Sequence, residues 1–438
     1  MADAFRTEKD PLGPKQVAAD ALYGVQTLRA RENFPISELR PLWPFVVAQV
    51  WIKKAAALTH KETGRLDARL ADAIIAAADE VLANRANELL GGRRGAYTPV
   101  HPNDHVNMAQ STNDVIPTAI RLGTLAMLRD LTAALAGLRD RLLDKGRELD
   151  DVIKSGRTHL QDAMPIRLGQ EFRAYGLTIE RNTRRLTDVA DFLRDLGIGG
   201  SAVGTGVNVE PQYPSLMIRH LRKVTGLDLR EGEDRVQLMQ SMGDVAGFSA
   251  QLRTLAVDLS KIASDLRLLA SGPRTGFDEI VMPAVQPGSS IMPGKVNPSI
   301  AEMVNQVCFQ VIGNDTCVSA AAEHGQLELN VMMPVIAHNV FFSMLILTNA
   351  TIALAERCVA GIVANKEQCA FWVERSAALA TALAPQIGYA RAAELSKRSV
   401  KENTLIRDLV RREGVLPEQE IDKVLDLRRM TEIGVPGK

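Results

Sequence analysis

Apolar residues recur at three- and four-residue steps over most of the chain, a spacing that is typical of amphipathic helices. The pattern predicts helices over residues 46–60, 67–90, 118–149, 166–196, 235–270, 299–322 and 334–364. Several of these runs approach thirty residues, well above the mean length of a globular helix, and together they predict a bundle. Strand signals are few. The predicted fold class is therefore all-α, with a central bundle of long helices.

Three domains follow from the same pattern. Residues 1–110 begin with a stretch rich in proline and glycine and then become helical, which predicts an N-terminal domain. The long apolar runs occupy residues 111–365, and shorter amphipathic helices over residues 366–438 predict a small C-terminal domain. Small residues at 319–322 leave a helix surface that another subunit could approach closely, which favours an oligomer.

The composition narrows the classes of function. Lysine and arginine number 52, as do aspartate and glutamate, so the chain has no basic excess for nucleic acid or a membrane surface. The N-terminus lacks an apolar leader, and no later stretch is expected to span a bilayer. The cysteines match no zinc-ligand spacing and predict small buried thiols in a reducing compartment. These observations predict a soluble, cytoplasmic protein.

The most unusual stretch is residues 288–298, which read GSSIMPGKVNP. Its glycines and prolines are incompatible with the interior of a helix or strand, although long helices are predicted nearby. It carries Ser289, Ser290, Lys295 and Asn297 within one short loop. An ordinary solvated turn is the alternative, but such a turn does not require this combination of groups. The loop is therefore the first candidate for chemistry.

Three further polar clusters fall between predicted helices. The first, at residues 110–114, reads QSTND and follows HPNDH at 101–105. The alternative is a helix N-cap, in which Asp114 is the capping side chain before Pro117. Such a cap explains one or two of these residues but not all of them. The second includes Thr158 and His159, where an ordinary structural histidine is an equal alternative. The third contains Glu328, which is either a solvated carboxylate at a helix start or an inward-facing group that needs a partner such as His159.

Together the clusters offer hydroxyls, carboxamides, one lysine, one histidine and one glutamate. No metal constellation, phosphate-binding loop or dinucleotide-binding turn is present, so neither a metal nor a cofactor is predicted. A set rich in hydrogen-bond donors suits a small dianion and the stabilisation of charge on a carboxylate. The chemistry indicated is abstraction of a proton beside a carboxylate, followed by elimination.

The loop at residues 288–298 resembles the signature of the aspartase/fumarase superfamily, and the likeness extends over nearly the whole chain. GRTHLQD at 156–162, the stretch 101–118 and GGSAVGTG at 199–206 are similar to family blocks. Residues 23–37, 304–315 and 325–327 resemble the aspartate ammonia-lyase branch more than the fumarase branch. The resemblance implies reversible deamination of L-aspartate to fumarate and ammonia. It also implies a homotetramer whose central helices form one shared bundle, with active sites built from three subunits.

The resemblance also implies roles for individual residues. Ser289 is the expected general base that removes the Cβ proton, and its loop would close on glycine hinges. Thr158, Lys295 and Asn297 would hold the α-carboxylate of the substrate. The β-carboxylate would be held by Ser111, Thr112 and Ser290, and the amino group would be contacted by Asn113 and His159. His159 and Glu328 together also resemble the His–Glu pair of fumarases, so fumarate hydratase is the alternative activity.

One departure from the family concerns the N-terminal domain. The family carries a Gly-Thr-Ser-Thr-Asn-Met-Asn type of block before a segment similar to residues 81–86, and here residues 76–80 run directly into that segment. The absent stretch includes a threonine that usually contacts the substrate. A catalytically impaired member of the family is therefore a third possibility.

Overall fold

A computed structural model describes residues 5–77 and 82–437 of the chain. Most of these residues are helical, as the apolar spacing predicts. The described helices are α1 (Val25–Asn33), α2 (Trp43–Glu62), α3 (Ala68–Ala77), α4 (Leu82–Leu89), α5 (Thr112–Glu148), α6 (Leu168–Ala190), α7 (Tyr213–Thr225), α8 (Arg235–Gln240), α9 (Gly243–Leu269), α10 (Ser299–Glu323), α11 (Met333–Arg357), α12 (Lys366–Arg375), α13 (Ala384–Ile387), α14 (Tyr389–Glu402), α15 (Ile406–Arg412) and α16 (Glu418–Val424).

Short strands interrupt the helices and form four two-stranded sheets in the described part of the chain. The strands are β1 (Phe5–Asp10), β2 (Gly13–Ala18), β3 (Ile153–Thr158), β4 (Gln161–Arg167), β5 (Asp195–Leu196), β6 (Arg230–Glu231), β7 (Ile280–Val281) and β8 (Val363–Ala364). Of the pairs, β1–β2, β3–β4 and β7–β8 are antiparallel, and β5–β6 is parallel. The β3–β4 hairpin carries one of the predicted polar clusters, that of Thr158 and His159.

Several predicted boundaries are wrong. Helix α5 begins at Thr112 rather than 118, so Pro117 lies inside the helix and Asp114 lies in its first turn. The run 235–270 is two helices because the chain is non-helical at residues 241–242. Helix α11 ends at Arg357 rather than 364. In the last two cases the apolar spacing continues past a point where the backbone leaves the helix, whereas α5 begins early because the Ser111 Oγ accepts from a backbone N–H of its first turn.

The chain divides into two compact units. The first comprises residues 1–131, 185–253 and 312–345, and the second comprises 132–184, 254–311 and 346–438. One core of the first unit is formed by buried side chains of α2, α3 and α4, including Ala71 and Ile74, together with Val100. In the second unit, Leu383, Leu395 and Leu409 belong to a core of the C-terminal helices.

Helix α5 illustrates how the apolar spacing is used. In its second-unit part, Leu135, Leu138 and Leu142 are completely buried and lie at steps of three and four residues. This places them on one face of the helix. Burial of each leucine contributes about 2–3 kcal/mol of hydrophobic free energy, so the packing of this face stabilises the helix more than its intrinsic helix propensity does.

One expectation about membranes is corrected. The segment Met333–Gly361, which includes α11, is long and apolar enough to cross a bilayer by length and composition, with a mean hydropathy of 1.6. Of the most apolar window, 56% is buried inside the structure, and the core helix of a soluble protein passes the same test. The apolar character of α11 is explained by packing, since Ile336, Val340 and Met344 are completely buried.

The junction at which the family block is absent lies mostly outside the described residues. Ala78, Asp79, Glu80 and Val81 fall in the gap, whereas Ala77 ends α3 and Leu82 begins α4.

Candidate functional site

The loop at residues 288–298 belongs to the second unit and is closed by its own hydrogen bonds. The Gly288 N–H donates to the Lys295 carbonyl (2.8 Å), and the Asn297 Nδ2 donates to the Gly288 carbonyl (2.8 Å). A Cβ at position 288 would lie 2.5 Å from the Lys295 oxygen, so only glycine permits this closure. Gly294 has a φ of 80°, which glycine adopts without strain. The loop therefore has a defined shape set by its glycines and Asn297.

Within this loop, the Ser289 hydroxyl accepts hydrogen bonds from the backbone. Its Oγ accepts hydrogen bonds from the N–H groups of Ile291 (3.2 Å) and Met292 (3.0 Å). Two backbone donors aimed at one hydroxyl oxygen stabilise negative charge on that oxygen more than they stabilise the neutral hydroxyl. The same donors would lower the cost of forming the alkoxide, which is the form a serine needs in order to act as a base.

Two other polar side chains of this loop extend toward solvent. Ser290 and Lys295 are exposed, and Asn297 is half-buried. An anion that approached the loop would meet the Lys295 ammonium and the Ser290 hydroxyl without displacing an apolar side chain. The loop thus presents one positive charge and neutral donors around Ser289.

Thr158 and His159 lie at the tip of the β3–β4 hairpin, in the second unit. Thr158 pairs with Gln161, so His159 and Leu160 form a two-residue turn. Their φ values are 55° and 60°, in the left-handed region that glycine and asparagine usually occupy in such turns. All three residues at the tip are exposed. A strained turn that presents a histidine to solvent is a feature often found at functional sites.

Buried charges hold the base of this hairpin. The Glu279 carboxylate is completely buried and accepts hydrogen bonds from Arg157 Nη1 at 3.0 and 3.1 Å. Lys154, which is also buried, lies 3.2 Å from Glu279 and donates to Glu171 (3.0 Å). Burial raises the pKa of the Glu171 carboxyl, which Lys154 opposes. This cluster connects β3 to the segment that leads into the Ser289 loop, and the sequence analysis missed it.

Ser111, Thr112 and Asn113 belong to the first unit and begin helix α5. The Ser111 Oγ accepts from the Asn113 N–H (3.2 Å), and the Asp114 Oδ1 accepts from the Ser111 N–H (2.9 Å). These reciprocal bonds make Ser111 the capping residue, so the prediction that Asp114 caps the helix is wrong. Thr112 is exposed, and Asn113 is half-buried.

Asp114 instead joins the start of α5 to the loop at residues 199–206. Its Oδ2 accepts from the N–H groups of Gly199 (3.0 Å) and Ser201 (3.1 Å). Burial raises the pKa of the Asp114 carboxyl to about 6, although these N–H donors and the charge of Lys53 oppose the rise. Sequence reasoning missed this role, because Gly199 lies 85 residues away in the chain and only folding brings its N–H to the carboxylate.

Lys53 of α2 forms the other half of this buried polar region. Its Nζ donates to the Asn107 Oδ1 (2.7 Å) and the Gln110 Oε1 (2.9 Å). Burial lowers the pKa of Lys53 to about 8, and the Asp114 charge opposes that change. The residues just before the Ser111–Asn113 turn are therefore fixed by a charged side chain.

Glu328 lies in a tight turn of the first unit. The backbones of Gln326 and Leu329 exchange hydrogen bonds, and Leu327 has a φ of 51°. The side chain of Glu328 is exposed. Helix α11 begins later, at Met333, so Glu328 is not a helix-start carboxylate and does not face the interior of its unit.

The predicted residues are therefore divided between the two units. The first holds Ser111, Thr112, Asn113 and Glu328, and the second holds Thr158, His159, Ser289, Ser290, Lys295 and Asn297. Among the described residues, no group of three or more histidine, cysteine, aspartate or glutamate side chains could hold a metal ion. Cys308, Cys358 and Cys369 are buried as predicted, whereas Cys317 is half-buried.

Comparison with known proteins identifies the family. Residues 13–313 match the family described as Lyase, and residues 379–432 match the family described as Fumarase C C-terminus. The chain is 43% identical to an aspartate ammonia-lyase of Bacillus subtilis, over 99% of this chain and 98% of the relative. Identity to the aspartate ammonia-lyase of Pseudomonas fluorescens is 45%, over 97% of this chain and 95% of the relative.

Solved structures agree with these sequence matches. A structure titled as a fumarate lyase:delta crystallin from Brucella melitensis bound to cobalt is 45% identical, with a TM-score of 0.94, and covers 98% of this chain and 100% of its own. A class II fumarase from Schistosoma mansoni is 33% identical, with the same TM-score, and covers 98% and 99%. The fold and the sequence define a lyase. This chain belongs to the aspartase/fumarase superfamily, as the motifs predicted.

The alignment with the Bacillus subtilis relative is 463 positions long, which exceeds the 438 residues of this chain. The relative therefore has residues that this chain lacks. This agrees with the prediction that a stretch of family residues is absent from this chain.

Proposed function

We propose that this protein is an aspartate ammonia-lyase, a carbon–nitrogen lyase that converts L-aspartate reversibly to fumarate and ammonia. The observation that carries the proposal is the Ser289 loop, in which two backbone N–H groups donate to the serine Oγ. The identity of 43–45% to aspartate ammonia-lyases along nearly the whole chain supports the choice of substrate.

Ser289 is the proposed base for the Cβ proton. That proton is too weakly acidic to be removed unless the dianionic aci-carboxylate that results is stabilised. Each well-placed donor to such a group contributes about 3–4 kcal/mol to the transition state, by analogy with oxyanion holes. In the proposed scheme the β-carboxylate, where this charge develops, is bound by Ser111, Thr112 and Ser290.

The rest of the substrate is assigned to the remaining residues. Lys295, Asn297 and Thr158 bind the α-carboxylate, and Asn113 and His159 contact the amino group. Once the Cβ proton has moved to Ser289, the electron pair of the aci-carboxylate forms the Cα–Cβ double bond and ammonia leaves from Cα. Closure of the loop on Gly288 and Gly294 would exclude water during these steps.

The proposed assembly is a homotetramer whose long helices form a shared bundle, with each active site built from three subunits. The exposure of Thr158, His159 and Glu328 in the single chain supports this, because catalytic side chains usually require a partly enclosed site. We propose the same three domains as above, 1–110, 111–365 and 366–438, and a cytoplasmic location. No cofactor is assigned to the reaction.

Fumarate hydratase is the second candidate. It is favoured by the likeness to the Schistosoma mansoni class II fumarase and by the presence of both His159 and Glu328. The lower identity to that fumarase, 33%, makes it the weaker candidate. A catalytically impaired aspartase is the third, since a family threonine is absent from the N-terminal domain.

The three candidates are separated by one assay. Purified protein is incubated with L-aspartate or L-malate, and fumarate is followed by its ultraviolet absorbance. Fumarate from aspartate supports the proposal, fumarate from malate alone supports the hydratase, and no product with an assembled, folded protein supports the impaired enzyme. Ser289→Ala is expected to abolish turnover while leaving circular dichroism and assembly unchanged. Retained turnover in that variant would refute the role of Ser289.

A further inference from the structure

Asp114 lies beside the proposed binding residues but has no direct access to a ligand, because its side chain is completely buried. It accepts three backbone hydrogen bonds, one from Ser111 and two from the loop that contains Gly199 and Ser201. A buried carboxylate is costly unless such donors surround it. An apolar side chain could fill the same space without this free-energy cost, so we ask what the three hydrogen bonds of Asp114 do besides packing.

Asn113, the residue before Asp114, contacts the same loop. Its Nδ2 donates to the carbonyl of Ala202 (2.7 Å), the residue that follows Ser201. A carbonyl oxygen can only accept a hydrogen bond, so the nitrogen of the amide must face Ala202. The Oδ1 of Asn113 is consequently the atom left for a ligand. An amide oxygen is an acceptor, and it suits a group that donates N–H bonds.

The position of the Ala202 carbonyl depends in turn on Asp114. Ser201 has a φ of 57°, a left-handed conformation that is unfavourable for a serine. The two N–H bonds from Gly199 and Ser201 to the Asp114 Oδ2 hold the backbone in that conformation. The same carboxylate fixes the Ser111 N–H at the start of α5. Both sides of the Asn113–Ala202 contact are therefore anchored to one side chain.

We propose that Asp114 is a positioning residue that fixes the orientation of the Asn113 amide, so that its oxygen accepts from the amine of the substrate. The role rests on the proposed function, in which Asn113 contacts that amine. It explains tighter binding of an amino acid than of fumarate, because the amine supplies N–H donors to Asn113 Oδ1 and fumarate has no donor there.

The test compares two ligands, L-aspartate and fumarate, which both carry two carboxylates but differ in the amine. Michaelis constants for aspartate and inhibition constants for fumarate are measured for the wild type, Asp114→Asn, Asn113→Ala and the double variant. In Asp114→Asn the aspartate KM is expected to rise about tenfold or more, the loss for one hydrogen bond to a charged group. The inhibition constant of fumarate is expected to rise less, by no more than about threefold, because fumarate has no amine and is affected only through Ser111, whose N–H also donates to Asp114.

The double variant shows whether Asp114 acts through Asn113. If it does, Asp114→Asn raises the aspartate KM of Asn113→Ala by no more than it raises the inhibition constant of fumarate, because the amide has already been removed and only the Ser111 bond remains to be lost. Multiplicative effects of the two substitutions, or equal losses for aspartate and fumarate, would overturn the role. A wild type that gives no fumarate from aspartate would reject the proposed function and this role together, whereas active wild type with multiplicative effects would reject the role alone.

A second variant covers the case in which Asp114→Asn does not fold. Ser201→Gly keeps both N–H donors but allows the backbone at position 201 to leave its left-handed conformation. We expect it to fold and to raise the aspartate KM by about threefold without changing fumarate inhibition, since a more mobile Ala202 carbonyl orients Asn113 less firmly. An unchanged KM for aspartate would count against the proposal.

Discussion

Removal of the Glu279 carboxylate should destabilise the second unit severely. Its oxygens accept from Arg157 and lie 3.2 Å from the Lys154 ammonium, and Lys154 and Glu279 are both buried. In Glu279→Ala, Lys154 keeps only its bonds to Glu171 and the Ser155 carbonyl, and a cavity remains. Breaking a buried ion pair from one side costs about 3–5 kcal/mol. Glu279→Gln, which keeps one acceptor and the same shape, should cost less.

The free energy of unfolding is measured by urea titration at one protein concentration, because assembly makes stability concentration-dependent. Asp151→Asn is the matched control, since Asp151 pairs with Lys366 on the surface, where both side chains are about two-thirds exposed. It should change the free energy by less than about 1 kcal/mol. If Glu279→Ala also changes it by less than about 1 kcal/mol, the buried charges are not coupled as described.

Three further outcomes follow from the structure. The native pKa of Asp114 is about 6, above its value in the unfolded chain, so the native protein binds one more proton than the unfolded chain between about pH 4 and 6. Relative to Asp114→Asn, the free energy of unfolding of the wild type should therefore fall by about 3 kcal/mol as the pH rises across that window. If urea titrations give the two proteins the same dependence of this free energy on pH, the reasoning is wrong. Lys53 keeps its charge and burial keeps Tyr213 neutral throughout that window, so neither contributes to the slope. Native protein should react with a thiol reagent at no more than one cysteine per chain, Cys317, because burial raises the pKa of the other three thiols to about 12. All four cysteines should react in denaturant. Leu160→Gly should stabilise the protein by about 1 kcal/mol in thermal unfolding, since glycine removes the strain of a leucine at φ 60°. A loss of stability would contradict this and show that Leu160 is held by contacts in the assembled protein.

The sequence by itself determined the helical class, most of the helices and the family. These depend on local properties: the spacing of apolar residues, the positions of glycine and proline, and the motif at residues 288–298. The boundaries of α8, α9 and α11 are less accurate because the apolar spacing continues where the backbone leaves the helix, and the start of α5 is predicted too late because Pro117 is taken as its first turn. The same local reasoning selected Ser289 and Asn297, which lie together on one loop.

Only the tertiary structure decided how the polar clusters are held. Glu279 meets Arg157, 122 residues away in sequence, and Asp114 meets Gly199, 85 residues away. Nothing in the local pattern indicates which acidic residue is buried, because a carboxylate can enter the interior only where distant donors are brought to it by packing. For the same reason the left-handed turn at His159 and Leu160 was not predicted: neither residue favours that conformation, and the pairing of β3 with β4 imposes it.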